Sequence, residues 1–330
     1  MYNWKNKKAL ITGAGGFIGS HLAERLVSLG ARVKAFIKYN SRGNLGMLEF
    51  IPKAALDAIE ITAGDIRDAQ CVRSAVEGNE VIFHLAALTG VPYSYIHPGD
   101  VVDNNIYGAL NIFEAAREFE LEKIVNTSTS EVYGTARYTP VDEKHPLEAR
   151  SPYSAGKIAA DKLAESFYIS FGTPVATVRP FNCYGPRQSI RTVLPSIITQ
   201  ALKGGDVYLG ATSAVKDFTF VKDVVDGFIK TAESRESVGQ AINIGAGIGT
   251  SIKDLADKAI KIIGKNNKII FDAKRVRPGS AEAVELVADN KKAQELLKWE
   301  PKVSLEEGLK ETITWYEQNP DIYKPGLYMI

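Results

Sequence analysis

The stretch ITGAGGFIGSHLAERL, residues 11–26, decides the fold that we predict for this chain. It sets Gly13, Gly16 and Gly19 between an apolar strand and an amphipathic helix. Glycines at such a junction allow a tight turn and let backbone N–H groups approach a pyrophosphate at the helix N-terminus. A glycine-rich turn without a ligand is the alternative, but the strand–loop–helix position favours a dinucleotide site.

Short apolar strands alternate with longer helical segments through the first half of the chain. Strands are predicted at 8–12, 31–37, 58–65, 80–86, 123–128 and 174–180. Helices are predicted at 18–29, 69–77, 101–118 and 153–171. This alternation indicates an α/β fold, in which a Rossmann-type doubly wound parallel sheet carries helices on both faces.

The pattern changes after Pro180. Helices are predicted at 194–204, 223–234, 251–264, 290–298 and 304–318, with a strand at 240–245 and a strand pair formed by VYLG (207–210) and KDFTFV (216–221). We therefore predict two units. They are a dinucleotide-binding domain over 1–180, with a return segment near 215–245, and a smaller α/β substrate lobe over 181–330.

Composition excludes several classes of partner. Forty Lys and Arg residues against 39 Asp and Glu leave a net charge of +1, so no general attraction to nucleic acid or anionic membranes is expected. Cys71 and Cys183 lack CxxC spacing and suggest a reducing compartment, and the four histidines lack metal-ligand spacing. No apolar run reaches the length of a membrane span. We expect a cytoplasmic enzyme without a metal.

Two further segments carry candidate chemistry. In SPYSAGKIAADKL (151–163), Tyr153 and Lys157 stand four residues apart and share one helix face, and no other tyrosine has lysine at that offset. TSTSEVYG (127–134) follows a predicted buried strand and contains Thr129. Together with the GxxGxxG spacing, these segments resemble the extended short-chain dehydrogenase/reductase superfamily, and the resemblance covers nearly the whole chain.

The resemblance implies roles for three of these residues. Tyr153 would be the base for a sugar hydroxyl, Thr129 would bond the same substrate oxygen, and Lys157 would bind the nicotinamide ribose. A neighbouring cation lowers the pKa of a phenol, so Lys157 is also expected to favour the ionised form of Tyr153. A Tyr–Lys pair with a purely structural role is the alternative.

The resemblance also implies an NAD or NADP cofactor that stays tightly bound and is recycled. Besides Tyr153 and Lys157, its contacts would be Gly13, Gly16, Phe17, Ile18, Gly19, Lys38, Arg42, Asp65, Ile66, Leu85, Ala86 and Ala87. An Asp or Glu at the end of the second strand would bind the adenosine ribose of NAD, and none is present there. Lys38 and Arg42 instead suit a 2′-phosphate, which favours NADP. Two solvated basic residues are the alternative there, and for Asp65 the alternative is a turn-capping role.

A nucleotide-diphosphate sugar is the implied substrate, bound by the smaller lobe. Its predicted contacts are Asn182, Arg187, Leu194, Lys216 and Arg277. Lys216 stands where most relatives have arginine, which removes the planar fork that matches a phosphate. Asn105 occupies the buried asparagine position of the superfamily. The alternative for each basic residue alone is a solvated surface group.

Ser130 and Glu131 narrow the reaction. The same pair follows the threonine in sugar 4,6-dehydratases of the guanosine-diphosphomannose type, which implies that Glu131 takes the C5 proton while water leaves C6. Without the Asp of other dehydratases, Glu131 itself would handle the proton of the departing hydroxyl. The segment GVPYSYIHP (90–98) resembles bacterial dehydratases of the legionaminic pathway and favours UDP- or GDP-N-acetylglucosamine.

Other readings remain open. UDP-glucuronate decarboxylases share the Ser–Glu pair, and Arg150 is the nearby candidate to meet a substrate carboxylate. The protein could also be a 4-epimerase or a catalytically silent cofactor-binding module. For Glu131 the alternative is a structural role, in which it caps the following turn or pairs with a basic neighbour. By analogy we also expect a homodimer, through a four-helix interface formed by 104–118 and 153–171.

Overall fold

The computed structural model describes residues 2–275 and 285–322. Within these residues, seven strands form one parallel sheet in the order β3–β2–β1–β4–β5–β6–β10. They are β1 (Lys8–Thr12), β2 (Arg32–Lys38), β3 (Ile59–Gly64), β4 (Val81–His84), β5 (Lys123–Thr127), β6 (Val175–Pro180) and β10 (Ala241–Ile244). The predicted α/β fold with a Rossmann-type parallel sheet is confirmed.

The helices of the described residues cover both faces of this sheet or pack on the shorter strands and on one another. They are α1 (Phe17–Ser28), α2 (Lys53–Leu56), α3 (Ala69–Val76), α4 (Val91–Ile96), α5 (Pro98–Val102), α6 (Gly108–Glu118), α7 (Pro152–Phe171), α8 (Val193–Leu202), α9 (Val221–Glu233), α10 (Ile252–Ile263), α11 (Lys291–Leu297) and α12 (Leu305–Gln318). Short 3₁₀ turns lie at Gly46–Phe50, Ser130–Tyr133 and Ala273–Arg275.

Alternation along β1 shows how the two faces are filled. Ala9 and Ile11 pack in the core that includes Leu22 of α1 and Phe228 of α9. Leu10, between them, packs in the separate core formed with α3, α6 and α7. Successive side chains of a strand point to opposite faces, so a strand buried on both faces is apolar throughout.

The smaller sheets correct one prediction. The strand β8 (Val207–Leu209) pairs with β12 (Ile269–Phe271), whereas β9 (Val215–Phe220) pairs with β7 (Asn182–Tyr184), β11 (Gly249–Ser251) and β13 (Glu285–Leu286). The predicted pairing of VYLG with KDFTFV is therefore wrong, because each strand finds a partner distant in sequence. The chain returns to the large sheet at β10, and the domain boundaries themselves stay a prediction.

The helix predicted at 101–118 also differs. It is divided into α5, a π-helical turn at Asp103–Tyr107, and α6. Asn105, on the wide turn, accepts the backbone N–H of Leu88 at 2.8 Å and donates to its carbonyl oxygen at 3.0 Å. A π-turn often marks a functional region, and here it brings the asparagine amide to the loop that follows β4.

The described residues contain neither a candidate membrane span nor a candidate metal cluster. No helix in them has both the length and the apolar composition needed to cross a bilayer. Nor does any group of three or more His, Cys, Asp or Glu side chains among them form a metal-binding cluster.

Candidate active site

The carboxyl ends of the central strands gather the candidate residues at one edge of the sheet. The strands β1, β4 and β5 are parallel neighbours and end at Thr12, His84 and Thr127. The glycine loop follows the first, Leu85–Ala87 the second, and the Thr129–Glu131 segment the third. Ligands of open parallel sheets bind at this edge.

The glycine loop has the geometry of an anion site. Gly13 has φ +71°, and a Cβ there would lie 2.8 Å from the backbone nitrogen of Ala86. Gly19 packs against the carbonyl of Gly13. At the N-cap of α1, Gly16 supplies no side-chain cap, so the first N–H groups of the helix face outward. These features fit the pyrophosphate of a dinucleotide, flanked by the half-buried Phe17 and Ile18.

The predicted adenosine contacts lie at the ends of β2 and β3. Lys38 and Arg42 are both exposed. Asp65 accepts hydrogen bonds from the backbone N–H and the guanidinium of Arg67, the closest at 2.7 Å. The Arg67 guanidinium holds the pKa of Asp65 down at about 2. Asp65 thus has the geometry of the turn-capping alternative, while Ile66 beside it is buried.

Thr129 and Tyr153 are brought together by β5 and α7. Thr129 is extended after the end of β5, and its hydroxyl hydrogen-bonds the phenol of Tyr153. Its Oγ1 also accepts the N–H of Glu131 at 3.2 Å, so Thr129, not Glu131, caps the turn at Ser130–Tyr133. Ser151 caps α7 in a capping box with Ser154, which fixes Tyr153 in the first turn of the helix.

Lys157 lies one turn further along α7 and is buried. Its Nζ donates to the carbonyl oxygen of Thr127 at 2.8 Å. Burial lowers the pKa of Lys157 to about 8 and raises that of Tyr153, whose phenol is therefore held neutral. The expected lowering of the phenol pKa by Lys157 is not found, because burial dominates and the ammonium is turned to the strand end. The Thr129 hydroxyl is what favours the ionised phenol.

Ser130 and Glu131 occupy the turn that follows Thr129. Ser130 is buried and Glu131 is half-buried, close enough to Tyr153 for its charge to raise the phenol pKa. Tyr133 anchors the turn, since its hydroxyl donates to Asn243 at 2.7 Å. Gly134 then has φ +64°, and a Cβ there would lie 2.5 Å from a backbone carbonyl oxygen. These contacts fix the backbone of the turn from which Glu131 acts on the phenol.

The predicted substrate contacts differ in burial and in hydrogen bonding. Asn182 begins β7, and its buried Nδ2 finds no hydrogen-bond partner among the described residues, as expected of a group that meets a ligand. Leu194 and Lys216 are buried in α8 and β9, and Arg277 lies outside the described residues.

Arg187 is turned toward the first helix. Its guanidinium pairs with Glu24 at 2.7 Å and lies against His21, both in α1, and its backbone has φ +67°. A buried guanidinium requires such partners, and these differ from the predicted diphosphate. One nitrogen, Nη1, remains without a partner in the described chain.

Sequence reasoning missed a buried network behind the site. Asp161 Oδ2 accepts from Ser128 Oγ at 2.8 Å and from Arg179 Nε at 3.0 Å. The spacing offered a signal, because Asp161 follows Lys157 by four residues and so shares its helix face. Thr127 was missed as well, since its role is carried by a backbone carbonyl that no motif encodes.

A Rossmann-type sheet with a glycine loop and a Thr–Tyr–Lys group at its carboxyl edge defines an extended short-chain dehydrogenase/reductase. The family model for GDP-mannose 4,6 dehydratase matches residues 10–312, and the chain belongs to that family. The resemblance predicted from the motifs is thereby confirmed.

Similar proteins perform different reactions. The UDP-glucose 4-epimerase of Mycolicibacterium smegmatis is 34% identical over 94% of this chain and 98% of its own. The UDP-N-acetyl-alpha-D-glucosaminuronate decarboxylase of Bacillus cytotoxicus is 33% identical, again over 94% of this chain and 98% of its own. The crystal structure of DesIV, a dTDP-glucose 4,6-dehydratase from Streptomyces venezuelae with NAD and TYD bound, has a TM-score of 0.84 at 27% identity, covering 96% of this chain and 99% of that one. Family membership therefore indicates a nucleotide-sugar enzyme but leaves the reaction to the site residues.

Proposed function

We propose that this protein is an NAD(P)-dependent nucleotide-sugar 4,6-dehydratase, a lyase that converts a nucleotide-diphosphate hexose to its 4-keto-6-deoxy form. The observation that carries the proposal is the position of Glu131, on the turn after Thr129 and near the phenol of Tyr153. Oxidation and reduction at C4 alone need no second acid–base group, whereas loss of water from C5 and C6 does.

The first step is oxidation at C4. A bound nicotinamide would supply the hydride acceptor for C4 and, in its reduced form, the hydride donor for C6. Once its phenol has lost its own proton, Tyr153 takes the proton of the C4 hydroxyl, and Thr129, whose hydrogen bond favours the ionised phenol, orients the same oxygen. Lys157 holds a positive charge at the end of β5 through its bond to Thr127. The resulting C4 ketone makes the neighbouring C5 proton acidic.

The elimination is assigned to Glu131. Its carboxylate removes the C5 proton, the C6–O bond breaks, and the carboxylic acid returns that proton to the departing hydroxyl as water. Ser130 is not an acid at neutral pH and serves as a hydrogen-bonding neighbour. After hydride returns to C6, a proton from solvent goes to C5, and Tyr153 releases to solvent the proton it took from the C4 hydroxyl, which completes the 4-keto-6-deoxy sugar. One carboxyl group thus serves as both the base and the acid of the elimination.

The competing reactions have weaker support. In a decarboxylase, Arg150 would meet the substrate carboxylate, but here its guanidinium already pairs with the Glu148 carboxylate at 3.0 Å. A 4-epimerase gives no role to Glu131. A silent binding module is disfavoured because the sequence retains Thr129, Tyr153 and Lys157.

The finer assignments are also part of the proposal. UDP- or GDP-N-acetylglucosamine is the proposed substrate, from the GVPYSYIHP segment, and the solved DesIV complex supports binding of such nucleotide ligands. Lys38 and Arg42 favour NADP, with NAD as the alternative because DesIV contains it. The proposed contacts to the diphosphate sugar are Asn182, Arg187, Leu194, Lys216 and Arg277.

We further propose a cytoplasmic homodimer that pairs α6 and α7 with their copies in a four-helix interface. Tyr107, just before α6, and Ile169 in α7 are 55% and 72% exposed. Apolar side chains so exposed on neighbouring helices suit contact with a second copy.

Product masses test the proposed reaction. Purified protein is incubated with UDP- and GDP-N-acetylglucosamine, GDP-mannose, dTDP-glucose and UDP-glucuronate in deuterated water. Loss of one water with deuterium at C5 is the expected result for at least one sugar. Loss of carbon dioxide from UDP-glucuronate alone would establish a decarboxylase, and a new isomer of unchanged mass would establish an epimerase.

A further inference from the structure

We propose that Asp161 is a positioning residue of this site, which supplies the counter-charge of Lys157 and anchors the strand end that carries Thr129. The inference deepens the proposed function and rests on it only in taking Lys157 to bind the dinucleotide. Asp161 touches neither substrate nor cofactor in this scheme, since it lies behind the site.

The geometry of the carboxylate is the first step. Asp161 lies one helical turn beyond Lys157 on α7, and the two side chains are both buried. Oδ2 of Asp161 accepts from Ser128 Oγ at 2.8 Å and from Arg179 Nε at 3.0 Å. Oδ1 has no hydrogen-bond partner in the described residues. A buried carboxylate with one oxygen unbonded is costly unless nearby positive charge stabilises it.

The ion pair also holds both ends of the catalytic turn. Ser128, bonded to Asp161, directly precedes Thr129. Arg179, the partner of Asp161, donates from Nη1 to the hydroxyl of Tyr133 at 3.0 Å and stacks 5.2 Å from the centre of its ring. The segment that presents Thr129 and Glu131 is therefore fixed at its start and at its end by one buried pair.

The charges around Lys157 identify Asp161 as its counter-charge. Burial lowers the pKa of Lys157, and Asp161 is the group that raises it again. His84, facing Lys157 from β4, is neutral because burial and Lys157 lower its pKa to about 3. Tyr153 is neutral as well, since burial raises its pKa, and Arg179 is directed at Asp161. Removal of the carboxylate charge would thus let Lys157 lose its proton at a lower pH.

The first test is dinucleotide binding as a function of pH. Dissociation constants for NADH and NADPH are measured by fluorescence on the full-length protein and on Asp161→Asn, without nucleotide sugar. Binding is expected to weaken as Lys157 deprotonates, and the midpoint of that loss should move down by about one pH unit or more in the variant. An unchanged midpoint overturns the inference. Failure of the unaltered protein to bind either dinucleotide would instead contradict the proposed function.

Ser128→Ala is the matched control, because it removes a hydrogen bond to Asp161 and keeps the charge. Its midpoint should stay at the wild-type value, and an equal shift in both variants would overturn the assignment of a counter-charge. Asp161→Asn leaves Arg179 buried without its carboxylate partner, which threatens folding. If that variant does not fold, Asp161→Asn with Arg179→Gln is measured in the same way.

A double-mutant cycle tests the same interaction without any dinucleotide. Lys157→Met, Asp161→Asn and their combination are compared by urea unfolding, with Asp161→Asn/Arg179→Gln as the background if it is needed. A favourable coupling between positions 157 and 161 is expected, and it should disappear above the pH at which Lys157 deprotonates. A coupling indistinguishable from zero at neutral pH overturns the inference.

Discussion

Lys157 Nζ lies 2.8 Å from the carbonyl oxygen of Thr127, so the helix that carries Tyr153 is bonded to the strand that ends just before Thr129. This bond fixes the distance between the two groups expected to act on the C4 hydroxyl. It also buries an ammonium group, and burial moves the pKa of Lys157 from 10.5 to about 8, into the range of ordinary experiments.

The lowered pKa of Lys157 predicts a pH dependence of stability. Between pH 8 and 10.5 the unfolded chain keeps a proton that the folded chain has lost. Stability contributed by this group therefore rises with pH across that window, and the cost of burying the charge is fully present below it. In urea unfolding, the free energy of unfolding of the wild type should rise relative to that of Lys157→Met from pH 8 upward. A difference independent of pH would contradict the assigned shift.

Gly13→Ala should impair dinucleotide binding. The substitution forces a side chain onto a backbone with φ +71° and places Cβ 2.8 Å from the nitrogen of Ala86. We expect NADH and NADPH to bind at least about tenfold more weakly, as judged by fluorescence titration. Gly43→Ala is the control, because Gly43 has φ +64° with open space around it. Equal losses in both variants would mean that backbone strain, not the close approach, is responsible.

Lys38 and Arg42 predict the choice of dinucleotide. Both are exposed near the end of β2, where they can meet a 2′-phosphate. Replacing both with alanine should weaken NADPH binding by about tenfold or more and leave NADH binding unchanged. Isothermal titration with each dinucleotide measures this. Wild-type protein that prefers NADH, with no change in the double variant, would show that the two side chains are merely solvated.

Tyr133→Phe should destabilise the fold behind the catalytic turn. The lost hydroxyl bonds Asn243 and Arg179, both buried, and their polar atoms would be left unpaired. The expected loss is about 1–3 kcal/mol in the free energy of unfolding. Tyr138→Phe serves as the control, since its hydroxyl bonds Asp142 at the exposed surface. If the two variants unfold alike, the buried network contributes nothing to stability.

The sequence predicted the large sheet well because each parallel strand, buried on both faces, appears as a compact apolar run. It predicted Thr129, Tyr153 and Lys157 as a group because motif spacing and their common strand edge agree. The prediction of how the small strands pair failed for a physical reason. Val207–Leu209 is only three residues long and pairs with Ile269–Phe271, and no local pattern encodes a contact over that separation.

The pKa shifts and ion-pair partners of the site could not be predicted from local sequence patterns either. Lys157 was expected to lower the pKa of Tyr153, yet both groups are governed by burial, which depends on the packing of α7 against the sheet. The partners of Arg187 were not predicted either: its guanidinium pairs with Glu24 and lies against His21, both distant in sequence. Its assignment to a diphosphate stays a prediction.

The most direct measurement of the central claim uses Glu131→Gln, with Glu131→Asp as a charge-conserving control. The enzyme is mixed with its sugar nucleotide while the absorbance of reduced nicotinamide and the product mass are followed. In the Gln variant, reduced cofactor should accumulate and water loss should slow on the order of 10²–10⁴-fold, because C4 oxidation uses Tyr153, Thr129 and the cofactor but not Glu131. The Asp variant should retain part of the dehydration. Full dehydratase turnover by Glu131→Gln would contradict the account.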